Sequence, residues 1–189
     1  MTHSLNIAIH PLLNPPQFFT VAEILADPSV VPPEPGLYGW WFAPCALQQV
    51  PRADCEMRDD RTLLYVGIAP SGQARGVRKA RTLQDRLRNH CRGPIAVSTL
   101  RRSLACLLQD ELKLSQRLSV SRKATMSGTD ETRLTDWMKE HARVAWSISS
   151  TPWIDEATLV HRLPLNIKGS THPFRHELKA LRKRVKAGG

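Results

Sequence analysis

Two short apolar runs, PGLYGWWF at residues 35–42 and LLYVGIA at 63–69, each hold a tyrosine and a glycine near the middle. A hydrophobic core needs neither residue there, yet Tyr38 and Tyr65 bring two ionisable phenols to neighbouring elements. Further along, Arg86 and His90 stand four residues apart. They are neighbours on one helix, at the edge of the apolar face set by Leu83 and Leu87. Glu156 falls at helical spacing with Leu159, Val160 and Leu163 and is expected to aim inward, with Asp155 turned to solvent. A carboxylate directed at a core is costly unless a cation pairs with it or a metal is held by it. The tripeptide PLN at 164–166 ends that helix and leaves Asn166 just beyond it. Plainer readings stand beside these: a hydrogen-bonded core histidine for His90, and for Glu156 an acid favoured by the helix amino-terminal dipole.

The formal net charge is +10 over 189 residues, and its location matters more than its size. Between residues 75 and 102, Arg75, Arg78, Lys79, Arg81, Arg86, Arg88, Arg92, Arg101 and Arg102 oppose Asp85 alone. Between 174 and 189, Arg175, Lys179, Arg182, Lys183, Arg184 and Lys186 oppose Glu177. The rest of the chain is net acidic. Such concentration is the footprint of a polyanion-binding surface. An arginine-rich stretch suits phosphate in particular, because guanidinium grips it through two parallel hydrogen bonds. Arg78, Lys79, Arg81, Arg88, Arg101 and Arg102 are therefore the candidate phosphate contacts. For the terminal segment, a solvated helix face explains the charge equally well.

Other chemistries are disfavoured. Cys45, Cys55, Cys91 and Cys106 show no C-x-x-C spacing, so free buried thiols are expected rather than a zinc knuckle. No run approaches the roughly 18 apolar residues of a membrane span, and the amino terminus lacks a charged-then-apolar leader pattern. A soluble, cytoplasmic protein is the expectation.

The elements that must position these residues read as a mixed order. Residues 1–35 form a proline-rich arm around one amphipathic piece, FFTVAEIL. Residues 36–42 and 62–68 read as strands, with an irregular polar stretch between them. Helices are predicted over 80–92 and from Ser98, where Leu100, Leu104, Leu107 and Leu108 follow a Ser/Thr cap. Residues 118–130 read as a flexible break, and 131–142 as a helix through Leu134, Trp137 and Met138. RVAWSISS at 143–150 alternates like a half-buried strand. A helix over 152–163 opens on Thr151 and Pro152, and a basic one covers roughly 173–186. The expected fold class is α+β: a small three-stranded antiparallel sheet flanked by helices. A catalytic domain would span 36–167, with a helical insertion at about 97–141 and a basic helix or tail at 168–189.

Gly36-Leu37-Tyr38, Tyr65-Val66-Gly67, Arg86 with His90, Glu156 and Asn166 together resemble the GIY-YIG nuclease superfamily over roughly residues 36–167. Leu37 and Val66 stand where the family name has isoleucine, a mild apolar exchange. The resemblance implies an antiparallel sheet that presents both tyrosines to one cleft, with glycine allowing close approach. It implies phosphodiester hydrolysis with one divalent cation, Mg²⁺ or Mn²⁺, held by Glu156 as the single protein carboxylate. Tyr38 would then meet the attacking water, and Tyr65 would hydrogen-bond the phosphate or that water. Arg86 would neutralise phosphoryl charge, His90 would relay a proton, and Asn166 would orient the cleft.

The expected function is metal-dependent endonuclease action on DNA. Two alternatives stand beside it: a binding module of the same fold, and a nuclease preferring RNA or single strands. Trp40 and Trp41 bear on the last, since an exposed pair there could stack a base while a buried pair is ordinary core. A single site cuts one strand, so double-strand cleavage would require a homodimer or two successive events; the sequence leaves the oligomeric state open.

Overall fold

A computed structural model describes residues 9–70, 81–121 and 123–187. In chain order the elements are α1 (His10–Leu13), β1 (Phe19–Thr20), α2 (Val21–Ala26), β2 (Gly36–Phe42), β3 (Met57–Arg58), β4 (Arg61–Ala69), α3 (Leu83–Arg92) and α4 (Thr99–Leu107). They continue with β5 (Gln116–Leu118), β6 (Ala124–Met126), α5 (Gly128–His141), β7 (Ala142–Ile148), α6 (Pro152–Leu159) and α7 (Phe174–Ala187).

The central sheet runs β1-β7-β2-β4-β3, and every neighbouring pair is antiparallel. Its three long strands are those the sequence predicts. The α+β class holds, but the sheet has five strands rather than three. The two additions are two-residue edge strands, too short to carry any alternation of apolar and polar residues. β1 is pinned by packing: Phe19 stacks on Trp146 with ring centroids 4.1 Å apart. The predicted flexible break at 118–130 likewise differs, since β5 and β6 pair there as a separate two-stranded ribbon.

All seven residues of β2 are buried, as expected of a strand covered on both faces. On one face Tyr38, Trp40 and Phe42 pack with residues of α2, α3, α4, α5 and α7 in the larger core. On the other, Leu37 and Trp41 join Leu12 of α1 and Leu159 of α6 in a smaller one. Trp40 and Trp41 are each 0 % exposed. Neither is free to stack a base, so the pair is core. The register of β4 against β2 slips between Trp40 and Trp41, where Trp40 pairs with Tyr65 and Trp41 with Leu63. Leu64 is the extra residue of this bulge, which sends both Leu64 and Tyr65 into the larger core.

Helix starts follow their caps. Thr82 and Asp85 form a reciprocal capping box at α3, so the predicted start at residue 80 moves to Leu83. Arg75, Arg78 and Lys79 lie outside the described residues. Phe174 and Leu178 of α7 are buried in the larger core, which ties the basic terminal helix to the body of the protein. The four cysteines are free, but Cys91 and Cys106 alone are buried; Cys55 is half-buried and Cys45 exposed. No helix among the described residues is long and apolar enough to cross a membrane.

Candidate active site

The phenol and glycine of the two motif strands explain each other. Tyr38 sits directly opposite Gly67 across β2 and β4. A Cβ on residue 67 would overlap the Tyr38 hydroxyl and lie 2.5 Å from its ring carbon Cζ. Gly36 is required for a different reason, because a Cβ there would collide with the backbone carbonyl of Ser147 on β7. One glycine admits a phenol and the other admits a strand.

Behind Tyr38 lies a buried polar chain. Its hydroxyl is 2.7 Å from His90 Nε2, and His90 Nδ1 is 2.7 Å from Ser98 Oγ. Ser98, the cap residue of α4, also accepts a hydrogen bond from the Arg101 amide at 3.1 Å. Its hydroxyl has one hydrogen and two lone pairs, so it pairs with Nδ1 in either imidazole tautomer, and Nε2 takes the complementary role toward the Tyr38 oxygen. Arg86 Nη2 donates to the same oxygen at 3.4 Å.

Burial sets the protonation states. His90 is 1 % exposed, and its pKa is driven well below the usual imidazole value, chiefly by burial and then by Arg86 and Arg101. Burial pushes Tyr38 above the ordinary phenol range, and Arg86 pulls it part of the way back. Tyr65 lies well above that range, again through burial. The resting site thus holds neutral imidazole and neutral phenols.

A consequence for stability follows. Below about pH 6.5 the unfolded chain protonates His90, which the folded state resists, so stability falls as pH drops. His90→Gln is expected to flatten the fall in melting temperature between about pH 6.5 and 5. An unchanged slope would show that His90 titrates alike in both states.

In front of Tyr38 opens a cleft of about 350 Å³, lined among others by Tyr65, Gly67, Arg86, Trp153, Glu156, Asn166 and Lys168. Tyr38 itself is fully buried and lies behind Gly67, whose missing side chain leaves room for the hydroxyl there. Asn166 plays a structural part: its amide nitrogen donates to Val66 O at 2.7 Å, and its oxygen accepts from Val66 N at 3.0 Å. Leu165 N donates to Leu64 O at 3.1 Å. Together they hold β4 on either side of Tyr65.

The helical phase of α6 corrects one expectation. Asp155, expected in solvent, is 0 % exposed and accepts a 2.5 Å hydrogen bond from Ser149 Oγ. Glu156, expected among Leu159, Val160 and Leu163, is half-buried and faces the cleft instead. The cause is the chain after Leu159, which tightens into a 3₁₀ turn over Val160–Arg162. A phase of 100° per residue read back from Leu163 therefore fails. Burial raises the Glu156 pKa, with Lys168 and then Arg86 opposing. Its carboxylate makes no hydrogen bond or ion pair with the described residues.

Other candidates separate. Arg101 is a correction: it is 0 % exposed, ion-paired with Glu131 at 2.8 Å, and hydrogen-bonded to Cys91 O and Thr135 Oγ1. It ties α3, α4 and α5 together and is not available to a phosphate. Arg101→Ala is expected to cost about 3–5 kcal/mol in denaturant unfolding, since it strands Glu131. A loss below about 1 kcal/mol, as for an exposed pair, would refute that role. Arg81 and Arg88 are exposed and do not line the cleft. Arg102 is half-buried on α4, its Nη2 donating to Ala96 O at 3.0 Å. Sequence reasoning missed Lys168, Trp153 and Ser98. Lys168 follows Asn166 by two positions, and nothing in its neighbours marks it.

Tyr65 of β4 and Arg86 of α3 line one cleft with Tyr38 of β2 buried behind Gly67, the parts of a nuclease-type domain. The chain is a member of the GIY-YIG family: the family model for the GIY-YIG catalytic domain matches residues 36–184. That match runs past Asn166 into α7. No curated protein and no solved structure shows a significant match to the chain.

Proposed function

We propose that the protein is an endonuclease that hydrolyses phosphodiester bonds in DNA with a divalent cation. The observation that carries this reading is the Glu156 carboxylate, half-buried in the same cleft as Arg86 and Lys168 and without a hydrogen bond or ion pair among the described residues. A scaffold acid would be paired. A purely binding surface has no use for it, which weighs against the non-catalytic alternative.

The residues suit Mg²⁺ or Mn²⁺ bound through one protein oxygen. Among the described residues no three His, Cys, Asp or Glu side chains gather to form a larger ligand set. One carboxylate from Glu156, with water and substrate phosphate completing the shell, is a usual arrangement for magnesium. Bound there, the cation would supply charge neutralisation at the phosphate and make a neighbouring water more acidic.

The chain's own groups supply the rest. Arg86 lines the cleft and stays charged, its pKa raised first by the charge Tyr38 carries when ionised, so it neutralises the charge that builds on the phosphoryl oxygens. Tyr65 faces the same cleft and hydrogen-bonds the phosphate or the attacking water. Tyr38 accepts the proton of that water after releasing its own to bulk solvent, the phenolate being steadied by Arg86 and by its hydrogen bond with His90 Nε2. Ser98 fixes the imidazole that does this.

The test is parallel incubation of supercoiled plasmid, linear duplex, single-stranded DNA and RNA with Mg²⁺, Mn²⁺ or EDTA. Nicked circles that appear before linear product, with metal only, are expected. Cleavage in EDTA would overturn the metal requirement, and cleavage of RNA alone would overturn the substrate.

A further inference from the structure

Beside the cleft lies a second recess of about 250 Å³, lined by Ile167, Lys179, Arg182 and Lys183. Ile167 lines both hollows, so they adjoin at that residue. At 100° per residue Lys179, Arg182 and Lys183 fall within an arc of about 100° on α7, while Glu177 lies on the far side. Phe174 and Leu178, buried in the larger core, hold this stripe in place. The stripe is a fixed surface, not a fraying end.

Arg182 is half-buried and makes no hydrogen bond or ion pair with the described residues. Burial lowers the Arg182 pKa, and so, to a lesser degree, does the charge of Arg102 on α4, the helix packed against α7. Arg102 has its own Nε buried without a partner. Two half-buried guanidinium groups that feel each other's charge, neither ion-paired among the described residues, oppose folding of the protein alone. An anion would resolve that conflict. The shared Ile167 places this basic corner next to the catalytic hollow, and Tyr65 of the cleft feels the charge of Arg182.

We propose that the Ile167 recess binds a phosphate neighbouring the scissile one on the same DNA strand, with Arg182 and Lys179 as its contacts and Arg102 behind Arg182. This rests on the nuclease reading of the cleft. The strand would pass from Arg86 and Lys168 over Ile167 to α7. Contacts of this kind set register along the backbone and carry no base information, so they act on every sequence alike.

The test uses a short mixed-sequence duplex DNA and the full chain carrying Glu156→Gln, which leaves the duplex uncut. Affinity is measured by fluorescence anisotropy against NaCl concentration. Adding Lys179→Gln and Arg182→Gln together is expected to lower the log–log slope by about two and to weaken binding of unrelated sequences equally. Arg182→Lys should keep the slope. Lys179 is exposed, so Lys179→Gln alone, with an expected slope change of about one, decides the matter if the double variant does not fold. An unchanged slope overturns the recess as a phosphate site and leaves the nuclease reading intact. Failure of the wild-type protein to cut any nucleic acid overturns that reading instead, and the salt slope still judges the recess.

Discussion

Glu156→Gln is expected to abolish metal-dependent cleavage while leaving the melting temperature of the metal-free protein unchanged or slightly raised. Burial holds the Glu156 pKa above the ordinary carboxylate value, so the folded state disfavours its charged form. Such a group is harmless below its unfolded pKa and costs stability as pH rises through its folded pKa. At neutral pH the amide removes that cost. It is also a poor ligand for Mg²⁺, so activity goes where stability does not. Nicking assays and melting curves on one variant, plus binding to uncut DNA, check all three consequences. A scaffold role would show the reverse pattern: a large drop in melting temperature with residual nicking.

Tyr38→Phe should slow cleavage by roughly 10²- to 10⁴-fold, the range for loss of a general base. The ring stays in place over Gly67, and only the hydroxyl facing His90 and Arg86 is lost. Because the Tyr38 pKa is raised, the phenolate fraction at neutral pH is small. It grows about tenfold per pH unit below that pKa, so the wild-type rate should climb with pH and the residual rate of the variant should not. Tyr65→Phe should be milder if that phenol only positions. Normal rates in both variants would remove this cleft as the active site.

How far these groups were legible depended on how local their cause is. The long strands announce themselves because β2 and β4 are continuous apolar runs, and the tyrosines stand out against that background. β1 and β3 have two residues each, and no period exists in two residues. Arg101 was misread because composition counts a charge without locating it, and its partner Glu131 lies 30 positions away. The same distance problem hides Ser98, whose importance arises only when α4 starts beside α3. Glu156 was found for a partly mistaken reason. Its oddity as an acid in an apolar helix was visible, but the direction it faces depends on a change of helix type after Leu159 that periodicity does not foresee.

The clamp of Asn166 and Leu165 on β4 has a consequence beyond catalysis. β3 covers only the start of β4, pairing with Arg61 and Thr62, so the remainder of that rim would offer unpaired amides and carbonyls to any passing extended chain. Exposed rims of this kind seed strand addition and aggregation. The side-chain amide of Asn166 occupies the Val66 pair, and the backbone of Leu165 occupies Leu64 O. The segment that steadies Tyr65 therefore also closes the sheet against other molecules. Asn166→Leu should show both faults at once, slower cleavage and a lower concentration threshold for self-association.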